Sequence, residues 1–149
     1  MARLPANSLV NKVPSVFLAL VILGAVSAII YIAVFSKSSA TFTEFYILGP
    51  EGKAADYPTV LTVGQPGRVI VGIINQEQQT ASYRVELRLE GTEQGEIGPV
   101  VLEHQQQFEQ SINFISEKAG KQQRLEFLLY KDGQRNVYQS LRLFIEVKE

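Results

Sequence analysis

From Val13 to Phe35 the chain runs through 23 residues without a charge, VPSVFLALVILGAVSAIIYIAVF. At a rise of about 1.5 Å per residue, such a run makes a helix roughly 34 Å long, enough to cross a hydrocarbon layer of about 30 Å. A helix on the surface of a soluble domain carries a polar stripe. Here only Ser15, Ser27 and Tyr31 interrupt the apolar surface. Pro14 falls in the first turn, where its missing N–H costs little. The run predicts a transmembrane helix over residues 13–35. It exceeds the roughly 7–15 apolar residues of a signal-peptide core, so a retained anchor is expected rather than a leader cleaved near Ser38-Ser39-Ala40.

The flanks set an orientation. Arg3 and Lys12 precede the run, while Lys37 follows it and is soon offset by Glu44. The positive-inside bias predicts a single-pass protein of the cell membrane, with residues 1–12 cytoplasmic and the C-terminal domain extracytoplasmic. Tyr31 and Phe35 would then lie near the outer interface, where aromatic rings settle. Gly24 and Ala28 are four residues apart, as are Ser15 and Ala19. Gly24 and Ala28 are candidate helix-pairing positions, although small residues are common in membrane helices that pair with nothing.

Residues 36–40, Ser-Lys-Ser-Ser-Ala, form a short polar tether. A tether of about five residues holds the C-terminal domain within roughly 20 Å of the bilayer. Beyond it the hydrophobic period changes. In Tyr83-Arg84-Val85-Glu86-Leu87-Arg88-Leu89-Glu90, apolar and charged residues alternate strictly, which predicts a strand with one buried and one wet face. Further strands are predicted over 41–48, 59–63, 67–74, 100–103, 109–115, 125–131 and 136–147. Gly49-Pro50-Glu51-Gly52, Gly64-Gln65-Pro66-Gly67, the segment 91–98, the segment 118–123 and Lys131-Asp132-Gly133-Gln134 read as turns. Asp132-Gly133 between two alternating runs is a hairpin signal. Residues 41–149 are therefore expected to form an all-β domain, an immunoglobulin-like antiparallel β-sandwich of seven or eight strands. Without Cys or Trp it is not an antibody-type domain.

Two stretches also carry a family resemblance. One runs from Glu44-Phe45-Tyr46-Ile47-Leu48-Gly49-Pro50 through Asp56-Tyr57-Pro58, Leu61-Thr62-Val63-Gly64 and Val71-Gly72-Ile73-Ile74-Asn75-Gln76-Glu77. The other is Leu125-Glu126-Phe127-Leu128-Leu129-Tyr130-Lys131-Asp132-Gly133 with Tyr138-Gln139-Ser140-Leu141. Together they resemble the membrane-protein family called domain of unknown function 1616, found in archaea and some bacteria. The resemblance spans nearly all of residues 42–147 and implies a β-rich part outside the membrane. It implies no activity. Members of that family often carry several membrane helices before the β part and a His where this chain has Gln76.

The composition removes much chemistry. With no Cys and a single His, His104, the chain offers no thiolate or histidine-rich metal site, and no cofactor is expected. His104 is expected in a solvated loop or at a strand end. Net charge is −1, divided between a basic N-terminal segment and a domain with eleven basic and fifteen acidic residues, so nucleic acid is not an expected partner. Ser82, Ser111 and Ser140 sit in no nucleophile-elbow pattern. Glu86 and Glu90 alternate with Arg84 and Arg88 and read as cross-strand charge pairs rather than a glycosidase pair. Glu90, Glu93 and Glu96 share a Gly-containing segment that could hold a cation only loosely, since it lacks the oxygen-ligand spacing of an EF-hand. Gly64-Gln65-Pro66-Gly67 lacks a P-loop pattern.

What remains points to binding. The segment 49–58 is longer than a hairpin needs, and loops at a sandwich end are common recognition sites. Lys53, Asp56 and Tyr57 in it are candidate partner-binding residues. Ile70 and Ile74 join them because they lie opposite Val69, Val71 and Ile73, giving one strand apolar residues on both faces. The expected function is that of a non-catalytic structural or interaction subunit, anchored in the lipid bilayer and presenting its domain to other membrane-protein subunits. A cell-envelope carbohydrate-binding module is the alternative. With no Trp, that alternative needs exposed Tyr46, Tyr57, Tyr83, Tyr130 or Tyr138 as sugar platforms.

Overall fold

A computed structural model of the protein describes residues 12–35 and 40–149. The segment 1–11, with Arg3, and the tether residues 36–39, with Lys37, lie outside the described residues. The chain divides between Ala40 and Thr41 into two units.

The first unit contains α1 (Lys12–Phe35). Within it the stretch Pro14–Phe35 is long and apolar enough to cross a membrane, and its side chains are exposed. Ser27 returns its hydroxyl to the Leu23 carbonyl at 2.8 Å, so this polar group is satisfied inside the helix. Gly24 and Ala28 fall one turn apart on one face. The rings of Tyr31 and Phe35 stack with centroids 4.8 Å apart.

The second unit is a β-sandwich of eight strands: β1 (Thr43–Leu48), β2 (Val60–Thr62), β3 (Pro66–Asn75), β4 (Ala81–Leu89), β5 (Thr92–Leu102), β6 (Gln107–Ile115), β7 (Gly120–Lys131) and β8 (Gln139–Lys148). One sheet has the order β1-β3-β6 and the other β2-β8-β7-β4-β5. All pairs are antiparallel except β2 with β8, which run parallel. This departure from a purely antiparallel sandwich arises because β2 continues in the direction of β1 after the chain crosses to the other sheet.

The period-two pattern explains the core. Tyr83, Val85, Leu87 and Leu89 of β4 are buried, as are Leu125, Phe127 and Leu129 of β7 and Ile145 and Val147 of β8. They face Val69, Val71 and Ile73 of β3, Ile112 and Phe114 of β6 and Phe45 of β1. Gly67 is required beneath Phe114: a Cβ there would lie 2.3 Å from the ring.

Three sequence expectations change. The segment 91–98 is not a turn. The turn is the pair Glu90-Gly91, both at positive φ (49° and 82°), and Thr92 already pairs with Leu89. Gly95, Gly98 and Pro99 lie inside β5, at or next to two places where its register against β4 shifts. Extra residues in one strand bulge without ending it. Likewise the expected turn over 118–123 is shorter, because β7 begins at Gly120 and absorbs a register shift before Gln123. At the Asp132-Gly133 turn both residues have positive φ (51° and 69°), but β8 starts only at Gln139.

Candidate functional site

The registers place the start of β1 at one end of the sandwich, together with the loops 76–80, 103–106 and 132–138. A polar network is buried there. Asn75, fully buried at the end of β3, donates from Nδ2 to the carbonyls of Gln79 (2.7 Å) and Leu102 (2.8 Å) and accepts the Glu77 N–H at Oδ1 (2.9 Å). This turn aims Glu77 inward. Its Oε1 accepts from Thr43 Oγ1 (2.9 Å) and Tyr138 OH (2.6 Å), and its Oε2 meets Lys131 Nζ at 2.8 Å. Thr43 Oγ1 also lies 2.8 Å from Tyr83 OH. Lys131 sits over the Tyr138 ring, 5.2 Å from its centroid.

The charges follow from these contacts. Burial works to raise the Glu77 pKa, but the hydrogen bonds from Lys131, Tyr138 and Thr43 outweigh it and hold the carboxyl below the ordinary glutamate range. Burial works against the Lys131 charge, and its bond to Glu77 outweighs that, so the ammonium is held above its usual range. Burial, then the bond to Glu77, raises the Tyr138 hydroxyl, and burial raises Tyr83. A carboxylate that is already paired with a lysine and accepts two hydroxyls is a poor proton acceptor for chemistry. The network joins β1, β3, β4, the end of β7, the 76–80 turn and the 132–138 loop. Nothing in the local sequence announced it, since Glu77 lies 34 residues from Thr43 and 61 from Tyr138.

The candidate partner-binding residues separate into two settings. Lys53 and Asp56 are exposed on the loop that leaves β1. That loop is closed by Gly49 N to Lys53 O (2.8 Å) and Gly52 N to Gly49 O (3.0 Å), and Asp56 has positive φ (57°). Tyr57 is half-buried and donates its hydroxyl to the Ile47 carbonyl at 3.1 Å. Ile70 and Ile74 are half-buried on the outer face of the three-stranded sheet. The loop turns over Ile70, whose Cδ1 is 4.0 Å from where a Gly52 Cβ would sit. Ile74 lies opposite Glu44 and Gln107, toward the other end of the same face. Between the two isoleucines Tyr46 crosses Gly72 and bonds Glu109 (2.7 Å) and Gln107 (2.8 Å). Burial and then the Glu109 hydrogen bond raise its pKa.

The outer face of the five-stranded sheet is different, and drier than the alternating pattern implied. Glu86 is buried, with its Oε1 2.5 Å from Arg88 Nε and its Oε2 3.3 Å from Tyr130 OH. Arg84 stacks over the Tyr130 ring at 4.1 Å and binds Glu96 at 3.0 Å. Long arginine side chains flanking the carboxylate exclude water from it. Exposed Phe144 stands among Arg124, Arg142 and Glu146.

The remaining candidates are dispersed. Glu90 accepts the Arg124 N–H, Glu96 is paired with Arg84, and Glu93 points outward from β5. The loose cation site considered for these three is not assembled, because the segment is a strand and not a loop. Among the described residues no three His, Asp or Glu side chains converge as metal ligands. His104 is exposed and accepts the Gln78 N–H at Nδ1 (3.2 Å). Of the five tyrosines considered as sugar platforms, Tyr83 and Tyr130 are buried and Tyr46, Tyr57 and Tyr138 have their hydroxyls engaged within the protein.

These features define an immunoglobulin-like β-sandwich preceded by one apolar helix. The chain belongs to the family described as domain of unknown function (DUF1616), whose model matches residues 36–146. No curated protein matches it. Among solved structures it is similar to the CARDB domain of the PF1109 protein from Pyrococcus furiosus. The crystal structure of that domain, in complex with di-metal ions, superposes with a TM-score of 0.54 at 15% identity, covering 72% of this chain and 94% of that one. Its solution structure gives 0.52 at 15% identity, covering 72% and 97%. At this identity the likeness is one of fold.

Proposed function

We propose that the protein is a single-pass membrane protein whose extracytoplasmic sandwich is a non-catalytic interaction module. The sandwich offers the outer face of its three-stranded sheet to another subunit of a membrane assembly. One observation carries this reading: the two sheets are finished differently. On the five-stranded sheet ion pairs cover Glu86 and the exposed Phe144 stands among charged side chains, whereas the three-stranded sheet leaves Ile70 and Ile74 half-buried on either side of Tyr46. Apolar side chains left on a sheet face, rimmed by polar groups, mark contact surfaces.

The length and composition of α1 support anchoring, and Arg3 and Lys12, which precede its apolar stretch, support a cytoplasmic N-terminus. The seven residues between Phe35 and Thr43 favour a partner at membrane level over a distant one.

The test has two stages. Membranes carrying the intact chain are washed with alkaline carbonate and then solubilised in mild detergent. The chain should stay with the membranes until detergent is added. A photo-crosslinking residue is then placed at Ile74 or, as a control on the other sheet, at Arg142. A defined adduct with one other membrane protein is expected from position 74 and not from 142. Release by carbonate would remove the anchor, and equal labelling from both positions would remove the proposed face.

A further inference from the structure

The sandwich has four sheet edges, and three are defended. Gln76 N donates to Phe42 O (3.0 Å), which sets the even-numbered residues of β1 toward β3 and the odd-numbered ones toward the open side. There the Thr43 carbonyl is taken by Gln139 Nε2 (2.8 Å) and the Ile47 carbonyl by Tyr57 OH (3.1 Å). β2 is only three residues long. β5 is broken by two register shifts and carries Pro99, which has no N–H to offer. Short edges, bulges and prolines are the usual defences against edge pairing.

β6 has none of them. It pairs with β3 in unbroken register from Gln107 to Ile115 and contains no Pro, Gly or Lys. Asn75 N donates to Gln106 O (3.1 Å), so the even-numbered residues of β6 face β3. The odd-numbered ones face the open edge, consistent with Ile115 N reaching Gln94 Oε1 of β5 at 3.4 Å. The backbone groups of Gln107, Glu109, Ser111 and Asn113 therefore line that edge. Its one charge, Glu109, already accepts from Tyr46 OH (2.7 Å) and Gln107 Nε2 (3.0 Å).

We propose that β6 pairs antiparallel with β6 of a second copy of this chain, about a two-fold axis through Gln110. The two three-stranded sheets then become one continuous sheet. In this register Gln107 lies opposite Asn113 and Glu109 opposite Ser111, so amide meets amide and carboxylate meets hydroxyl. Each odd-numbered pair exchanges both N–H···O bonds. On the inner side Phe108 lies opposite Ile112, and Gln110 opposite its own mate. Gln110 is the exposed polar residue between half-buried Phe108 and buried Ile112. It occupies the position where two amides can bond each other across the axis. No like charges face one another, the condition for a self-complementary edge. The pairing is independent of the anchor and leaves the outer face of the sheet open.

The absence of cysteine makes the register directly testable. Gln110 would form a non-hydrogen-bonded pair with its mate, with Cα atoms about 4.5 Å apart, within the range of a disulfide. In the full-length chain in mild detergent, Gln110→Cys should give a disulfide-linked dimer under gentle oxidation, whereas Asn113→Cys, several residues from its mate, should not. Ser111→Pro removes an N–H that points to the open edge and leaves the β3 ladder intact. Gln110→Lys sets two ammonium groups opposite each other. Either should halve the protein mass of the detergent complex measured by light scattering, with the far-UV circular dichroism of the folded domain unchanged and the melting temperature no longer dependent on protein concentration. Equal cross-linking by both cysteines, a monomeric Gln110→Cys chain, or a Gln110→Lys chain that keeps its dimer mass would overturn the pairing. So would cross-linking of Gln110→Cys only to a different protein.

Discussion

Tyr46 lies across the backbone of Gly72, its register partner, so closely that a Cβ on Gly72 would fall 2.1 Å from the ring. Gly72 interrupts the run Val69-Ile70-Val71 and Ile73-Ile74, where every other position is β-branched. Glycine inside a strand weakens it unless something must approach the backbone. Here the ring passes over β3, and its hydroxyl reaches Glu109 and Gln107 of β6. One side chain thus spans all three strands of the smaller sheet. It also separates Ile70 from Ile74 on the proposed contact face.

Gly72→Ala should therefore destabilise the domain by about 1–3 kcal/mol, the usual cost of forcing atoms into a filled site. Tyr46→Phe keeps the ring and loses the hydroxyl, and should cost about 0.5–1.5 kcal/mol. Once the added methyl has displaced the ring, loss of the hydroxyl should matter little. The two effects should be clearly less than additive in a denaturant-melting double-mutant cycle.

A larger effect is expected at the buried ion pair. The side chains of Glu77 and Lys131 are 8% and 14% exposed. Lys131→Met leaves Glu77 without its cation and should cost about 3–5 kcal/mol. Adding Glu77→Gln to that variant removes the unpaired charge and should recover part of the loss. If Lys131→Met melts like the parent chain, the pair does not hold the 76–80 turn against the end of β7.

The same pair sets a pH dependence. Glu77 has its pKa depressed in the folded chain. Its contribution is therefore complete above the ordinary glutamate range and is lost as pH falls through the depressed folded value. Lys131 is shifted upward, so its contribution is complete below the ordinary lysine range and is lost as pH rises through the folded value. The stability gap between the parent chain and Glu77→Gln should be flat near neutrality. It should close on acidification below about pH 4.5, the unperturbed glutamate value. Urea melts at several pH values measure it, and a gap unchanged at the acid end would contradict the assignment.

Where the physics is local, the sequence carried it. The alternation from Tyr83 to Leu89 is buried inward as written, and Asp132-Gly133 turns with both residues at positive φ. The apolar run became α1. β5 was hidden because Gly95, Gly98 and Pro99 read as turn residues, whereas they accompany bulges in a continuing strand. Glu86 looked wet because alternation reports which face a side chain takes and not what covers it; Arg84, Arg88 and Tyr130 cover this one. Tyr57 stood out as an aromatic in a long loop, but its hydroxyl caps an Ile47 carbonyl that only the sheet order leaves open. Asn75 and Glu77 belonged to the quoted family stretch, yet their partners are brought by strands distant in sequence. Gly72 is legible in the sequence: a glycine in a β-branched run implies a close neighbour.

The contact-face reading is sharpest at Ile74. Its side chain is half-buried beside polar neighbours: Glu44, which accepts from Gln76 Nε2, and Gln107, whose Nε2 donates to Tyr46 OH. A lysine stem can lie along the same surface while its ammonium reaches water near Glu44. Ile74→Lys should then change the unfolding free energy by no more than about 1 kcal/mol, since it creates neither a cavity nor a buried unpaired charge. A desolvated contact with another subunit would lose far more, because the charge would be trapped in the interface. Copurification of the partner should fall sharply for Ile74→Lys and stay near the parent level for Arg142→Lys on the opposite sheet. If partner recovery and melting temperature fall together, Ile74 holds the sheet rather than the subunit. If neither moves, the contact face lies elsewhere on the sandwich.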